Sequence, residues 1–299
     1  MTVEWLDAWL WPEGEQMRWW TAADTRLLSR QNPARLLQQI NSPSTPVRLH
    51  LTEDVPVETQ RAIHEAVSAR PLRDHWQVIF DVPRTAAPPV LPSNPNVAIA
   101  DLWPDAERED GQSPPLFKNL LNGLPNAAQW RGITEVQRKL ACGGLSHRSL
   151  LVIMAHGSEC HAAPPFRLAD GQEWALPSDI HLPPLVLLLA CGNADHNLVD
   201  YGRRLRKAGV QTVLAPTGRL DARPADRFLR DFLHGWQGGQ RVDELLWRAQ
   251  RQPDSEYGAG RLVILGRGDL RVGPALTPAE WPDAELQNAA RALTPDSVP

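Results

Sequence analysis

Two uninterrupted apolar runs constrain this chain more than any other feature: LLVIMAHG, from Leu150 to Gly157, and LVLLLACG, from Leu185 to Gly192. Neither alternates as a strand with one wet face would, so both predict central strands buried on both sides of a parallel sheet. VQTVLAPTG, from Val210, and RLVILGRG, from Arg261 to Gly268, repeat the pattern. Between and around them, DHNLVDYGRRLRKAGV, ADRFLRDFLHGW and RVDELLWRAQRQ carry helical spacing. Strands joined through helices of this length need right-handed crossovers, which cover both faces of the sheet. The fold class predicted is α/β, a helix–sheet–helix sandwich with a mostly parallel central sheet.

Ahead of these runs the pattern is that of a small α/β region. Val3 to Trp11, Val47 to Glu53 and Trp76 to Pro83 read as strands; Thr25 to Ile40, broken at Asn32-Pro33, and Val57 to Ala69 read as helices. Thr85 to Val97 holds Pro88, Pro89, Pro92 and Pro95 and is the best linker candidate. Beyond it, Val97 to Trp103 predicts a strand, Asp105 to Pro115 a polar loop and LFKNLLNGL a short helix. Ile133 to Gly144 predicts a helix with a capping box at Thr134 and Gln137 and a stop at paired glycines. Asp170-Gly171, between FRLA and QEWAL, predicts a hairpin turn. The expected division is 1–94 as an accessory region, 95–275 as the main domain and 276–299 as a peripheral tail. Of twelve tryptophans, Trp5, Trp9, Trp11, Trp19 and Trp20 cluster in the first region. Burial against the main domain is the simplest account of that cluster, a partner-docking face the alternative.

Composition narrows the class. With 42% apolar and 22% charged residues the chain is globular, not disordered. No run approaches the roughly 20 apolar residues of a membrane span, and MTVEWLDAWLWPEGEQ has no basic leader region. A cytoplasmic protein with no membrane partner is expected. The formal net charge of −4 argues against direct nucleic-acid binding. The excess of arginine over lysine is scattered along the chain and fits a GC-rich bacterial genome. Cys142, Cys160 and Cys191 are too few and too irregularly spaced for a disulfide framework. Cys160, His161, His156, Cys191 and His196 match no common zinc spacing, so neither a metal nor a cofactor is expected.

Open α/β sheets build their sites beyond the carboxyl ends of the strands, and both leading runs end there in reactive residues. A thiol with an ordinary pKa of about 8.5 is only slightly ionised at neutral pH. An imidazole beside Cys191 can take its proton and later protonate a leaving amine. The N–H groups of Gly157 and Cys191 are candidates for an oxyanion hole. Taken singly, a strand-end cysteine is as readily a small core residue. The ordered pair, His-Gly and then Ala-Cys-Gly, is more informative than either half.

That ordered pair resembles the caspase-like cysteine peptidases, and most closely the bacterial CHAT domain. The likeness extends over roughly residues 97 to 270, through LLVIMAHG, VLLLACG and the stretch GVQTVLAPTGRLDARPADRFLRDFLHGWQGGQRVDELLWRAQRQ. The resemblance implies a cysteine endopeptidase with His156 as general acid/base and Cys191 as nucleophile, acting on a protein substrate. It also implies activation by a protein partner or signal in a bacterial defence or cell-death system. Asp221 lies where the family builds its substrate pocket and would accept a basic P1 side chain. The competing assignment is that Asp221 or Asp226 caps a helix from Ala225 to Leu233. Asp195 likewise lines the cleft or caps the helix after Cys191. Leu189 stands where the family has serine, Gly192-Asn193-Ala194 follows the cysteine where it often has Glu-Thr-Gly, and Ala215-Pro216 stands where it has Trp-Pro. A catalytically silent scaffold is the rival from another class. An α/β hydrolase or nucleotide-binding protein lacks support, because neither Gly-x-Ser-x-Gly nor a glycine-rich phosphate loop is present.

Overall fold

The computed structural model describes residues 5–13, 16–21, 25–29, 45–68, 76–83, 91, 96–103, 117, 120, 127–158, 164–168, 170–190, 197–252, 255 and 258–272. The described elements, in chain order, are β1 (Leu6–Glu13), β2 (Gln16–Thr21), β3 (Thr25–Ser29), β4 (Val47–Thr52), α1 (Val57–Ser68), β5 (Trp76–Val82), β6 (Val97–Asp101) and β7 (Ala128–Arg131). There follow α2 (Gly132–Ala141), β8 (Leu150–Gly157), β9 (Phe166–Arg167), β10 (Glu173–Trp174), β11 (Leu185–Ala190), α3 (Asn197–Lys207), β12 (Thr212–Pro216), α4 (Ala222–Gln237), α5 (Val242–Gln250) and β13 (Leu262–Gly266).

The apolar runs form the middle of a mostly parallel sheet, as their lack of alternation requires. β7, β6, β8, β11 and β12 are neighbours in that order, all parallel. β12 then pairs antiparallel with β13, and β13 begins a second parallel set, β13, β5, β4 and β1. β2 and β3 close that side antiparallel. The strands of the N-terminal region and those of the later region therefore belong to one sheet.

Side chains sort by parity onto the two faces. Ile153, Ala155, Val186, Leu188 and Ala190 share one core cluster with Ile63 of α1, Val136 and Leu140 of α2, and Leu198 and Leu205 of α3. Val152, Met154, Leu187 and Leu189 share the other with Phe228, Phe232 and Trp236 of α4 and Val242 and Leu246 of α5. This is the helix–sheet–helix sandwich expected from the sequence. α4 buries Ala225, Phe228, Leu229, Phe232, Leu233 and Trp236, an i, i+3, i+4 stripe that fixes which way it faces.

Three local expectations change. Thr25–Ser29 is a strand, not the start of a helix, because it pairs along its length with β2; the rest of that expected helix lies outside the described residues. The cap of α2 sits three residues before the expected Thr134: Arg131 is the N-cap, and its N–H donates to Glu135 Oε2 at 2.8 Å. β7, AQWR, is too short to show a period and was not expected from the sequence. The Asp170-Gly171 turn is present between β9 and β10, with Gly171 at φ +82°.

A buried ionic cluster holds the N-terminal strands to α5. Asp243, fully buried near the start of α5, receives Arg48 Nε at 3.0 Å and Arg241 Nη2 at 2.7 Å. Its backbone carbonyl accepts Gln77 Nε2 at 2.7 Å. Arg48 also meets Asp7 at 3.3 Å, and His50 Nε2 lies 2.8 Å from the same Asp7 oxygen. Burial pushes the Asp7 carboxyl up, but the His50 hydrogen bond and the charges of His50, Arg48 and Arg241 hold it at about 2. Trp5 packs edge-on to Trp247 of α5 at 4.8 Å and lies under the Arg48 guanidinium at 4.5 Å. The tryptophan nearest the N-terminus thus meets the second region, as the burial account of that cluster requires.

Candidate active site

β8 and β11 are in register up to Ala155 and Ala190, the last pair they share. His156 follows the first of these residues and Cys191 the second. Cys191, Asp195, Cys160, His161 and His196 lie outside the described residues. His156 has the parity of Val152 and Met154, and along the sequence Cys191 has that of Leu187 and Leu189. Strand alternation therefore assigns His156 to the face covered by α4 and α5.

The backbone at the end of β8 has a defined polarity. Met154 accepts the Leu102 N–H at 2.8 Å on the β6 side, and Ser158 donates its N–H to Pro165 at 2.9 Å. In an extended strand, residues of one parity present both N–H and C=O to the same edge. Even-numbered residues thus serve β6 and β9. Gly157 directs its N–H to the opposite edge, that of β11. The β9–β10 hairpin pairs His156 with Arg167 and Gly157 with Phe166. It is tied down by Ser158 Oγ, which donates to Glu173 Oε1 at 2.9 Å.

An aromatic wall stands beside the imidazole. The Trp103 ring lies 4.9 Å from that of His156, at an interplanar angle of 33°. Its backbone is fixed where the chain leaves β6. Fully buried Asp101 accepts Gln129 Nε2 at 2.6 Å and the Trp103 N–H at 3.4 Å. Phe117 packs against Trp103 at 5.9 Å. Its own N–H donates to Asp226 Oδ1 at 2.8 Å, and Asp226 is held from behind by Arg230 of the same helix. Asp226 is therefore not a helix cap: it sits inside α4 and anchors the 117 segment. Sequence reasoning passed over Trp103, although an aromatic two residues beyond the end of a strand neighbouring the histidine strand occupies the place where such sheets build sites.

Asp221 is the N-cap residue of α4, with extended φ and ψ and no side-chain cap hydrogen bond. Its half-exposed carboxylate lies 3.5 Å from Arg219 Nε, which is 82% exposed. Behind it, Thr217 closes the end of β12 by donating both its N–H and its hydroxyl to the Arg261 carbonyl, at 2.7 and 3.0 Å. Tyr201 of α3 accepts the Leu176 N–H at 3.1 Å. Burial pushes its phenol up to about 12, against the lowering effects of that hydrogen bond and of Arg204. It is a packing residue between α3 and the segment leading into β11.

Comparison with known proteins bears on the fold. The CHAT domain family model matches residues 140–256, a stretch that contains β8, β11 and α3 to α5. No curated protein matches the chain. Among solved structures, the fold is similar to that of gingipain R, described as an Arg-specific cysteine proteinase. The identity is 14%, the TM-score 0.53, and the match covers 80% of this chain and 68% of the other. No helix among the described residues is long and apolar enough to cross a membrane. Over residues 140–256 the chain is similar to the CHAT domain family, and its α/β fold is similar to that of gingipain R.

Proposed function

We propose that this protein is a cysteine endopeptidase that cleaves a protein substrate through a Cys191/His156 dyad. The observation that carries this reading is the register of Ala155 with Ala190. His156 and Cys191 each follow one member of this pair in the sequence, and the strands that end there, β8 and β11, are neighbours about 4.8 Å apart. His156 takes the thiol proton, and the thiolate adds to the scissile carbonyl. The N–H of Gly157, directed to the β11 edge, and that of Cys191 receive the oxyanion. The imidazolium protonates the departing amine, which leaves a thioester that water hydrolyses.

Residues 95–275 form the peptidase unit in this reading, with 1–94 accessory and 276–299 a tail. The reading extends to a cytoplasmic enzyme that an activating partner or signal switches on in bacterial defence or cell death. Asp221 offers an accessible carboxylate to a basic P1 side chain, with Asp195 as a second acid of the pocket. The test compares wild type with Cys191→Ala on a protein library, with and without candidate partners, by terminal-amine mass spectrometry. Cleavage confined to wild type, with Arg or Lys enriched at P1, is expected. Cleavage that persists in Cys191→Ala overturns the mechanism.

A further inference from the structure

We infer that Trp103 is a positioning residue: its indole fixes the orientation of the His156 imidazole and is itself set by Asp226 of α4 through Phe117. The inference rests on the dyad reading for its kinetic consequence, and on geometry alone for its structural one. An imidazole at the end of a strand can turn about two side-chain torsions, and only a narrow part of that range aims a ring nitrogen at a neighbouring strand. A tilted indole at 4.9 Å removes much of that freedom. The indole is not loosely placed. Leu102 continues the β6–β8 ladder through Met154, the Trp103 N–H is held by buried Asp101, and the ring packs on Phe117.

Phe117 is the unusual link. It has φ +56°, a backbone conformation that costs a non-glycine residue energy and is retained where surroundings over-determine it. Here the surroundings are the Asp226 carboxylate on its N–H and the apolar cluster around its fully buried ring. An acid inside a helix thus determines, through one backbone amide and two aromatic rings, where the candidate general base points.

Full-length protein in the Cys191→Ala background, with labelled histidine, reports the geometry by NMR. The carbon-bound ring protons of His156, assigned by its substitution, should lie upfield because of the indole ring current. Trp103→Leu should move them downfield, and Asp226→Ala should move them part of the way. In the enzyme with Cys191 intact, Trp103→Leu should lower kcat roughly 10- to 100-fold, the range expected for a misaimed catalytic group, with KM within twofold. Trp103→Phe should recover most of the loss and also guards against misfolding, as should Asp226→Asn, which keeps an acceptor for the Phe117 N–H. The double variant Trp103→Leu/Asp226→Ala should be no slower than Trp103→Leu. His156 protons that do not move in Trp103→Leu overturn the inference, as does an unchanged kcat in an enzyme that Cys191→Ala silences. Cleavage surviving Cys191→Ala would instead remove the dyad reading and leave the ring-current result to decide the stacking.

Discussion

The end of β8 and the seam between the N-terminal strands and α5 both gather polar side chains, on opposite plans. At the seam, fully buried Asp243 is paired with buried Arg48 and with partly buried Arg241. At the strand end, His156 is only half-buried and lies against the Trp103 ring, one residue beyond the last pair of β8 with β11. The carboxyls with shifted pKa lie on the seam side: Asp7 is held at about 2, and Asp269, pushed up by burial, is brought below its usual range by its hydrogen bond and ion pair with Arg267. A search for perturbed acids alone would have picked the seam, where the perturbation reflects charges used as fasteners. What marks the strand end is its place in the topology and the residue types delivered there.

Two substitutions should separate the regions most sharply. His156→Ala should lower kcat by about 10⁴-fold, the scale on which losing one member of a catalytic unit acts, and should leave the urea midpoint within error of wild type. Asp243→Ala should do the reverse. It strands two arginines in a buried site and should cost roughly 3–5 kcal/mol, the expected penalty for breaking a buried pair from one side. Activity per folded molecule should be retained, as active-site titration against unfolding curves would show. If Asp243→Ala silenced the enzyme without moving the midpoint, the seam would have to be read as part of the site.

The two regions also differ in how far the sequence exposes them. The central strands were legible because a strand buried on both faces must be apolar throughout, and the ladder of Leu150 to Ala155 against Leu185 to Ala190 follows from that. His156 and Gly157 were legible for the same reason, as the first polar and flexible residues after such a run. The seam was not. Arg48 and His50 of β4, Gln77 of β5 and Asp243 of α5 come from separate stretches of the sequence, and each looks like an ordinary surface residue until the fold pairs them. Trp103 and Phe117 were read only as the end of a strand and part of a short helix, because nothing in the sequence pairs one ring with the other or with His156. β3 was misread because apolar Leu27 and Leu28 fit a helix as well as a strand, and only pairing with β2 decides between them.

Between the two regions stands α3, which begins six residues after Cys191 and packs on β12 and β13. Gly202 is its contact point. A Cβ there would lie 2.4 Å from Leu265 Cδ1 and 3.3 Å from Val213 Cγ1. Gly202→Ala should therefore overpack the interface and cost about 1–3 kcal/mol. It should also lower kcat several-fold by lifting the helix that anchors the segment after Cys191. Loss of stability with full activity would show that α3 can shift without disturbing the strand ends, and would sharpen the separation.

The smallest expected effect concerns acid. Asp7 has a folded-state value of about 2, below the roughly 3.9 of an unfolded aspartate. A depressed carboxyl contributes stability that is fully present above the unfolded value and is lost as pH falls through the folded one. The window is therefore about pH 4 down to 2. Asp7→Asn removes that contribution: the variant should unfold at lower urea than wild type at pH 6, and the gap should close as pH drops toward 2. His50 and Arg48 sharpen the test, since both lose a partner in the variant at every pH. A gap that stayed constant from pH 6 to 2 would mean that the variant is destabilised by something other than the lost charge of Asp7. The seam would then be a packing feature that happens to contain ions, and the contrast with the strand end would rest on burial alone.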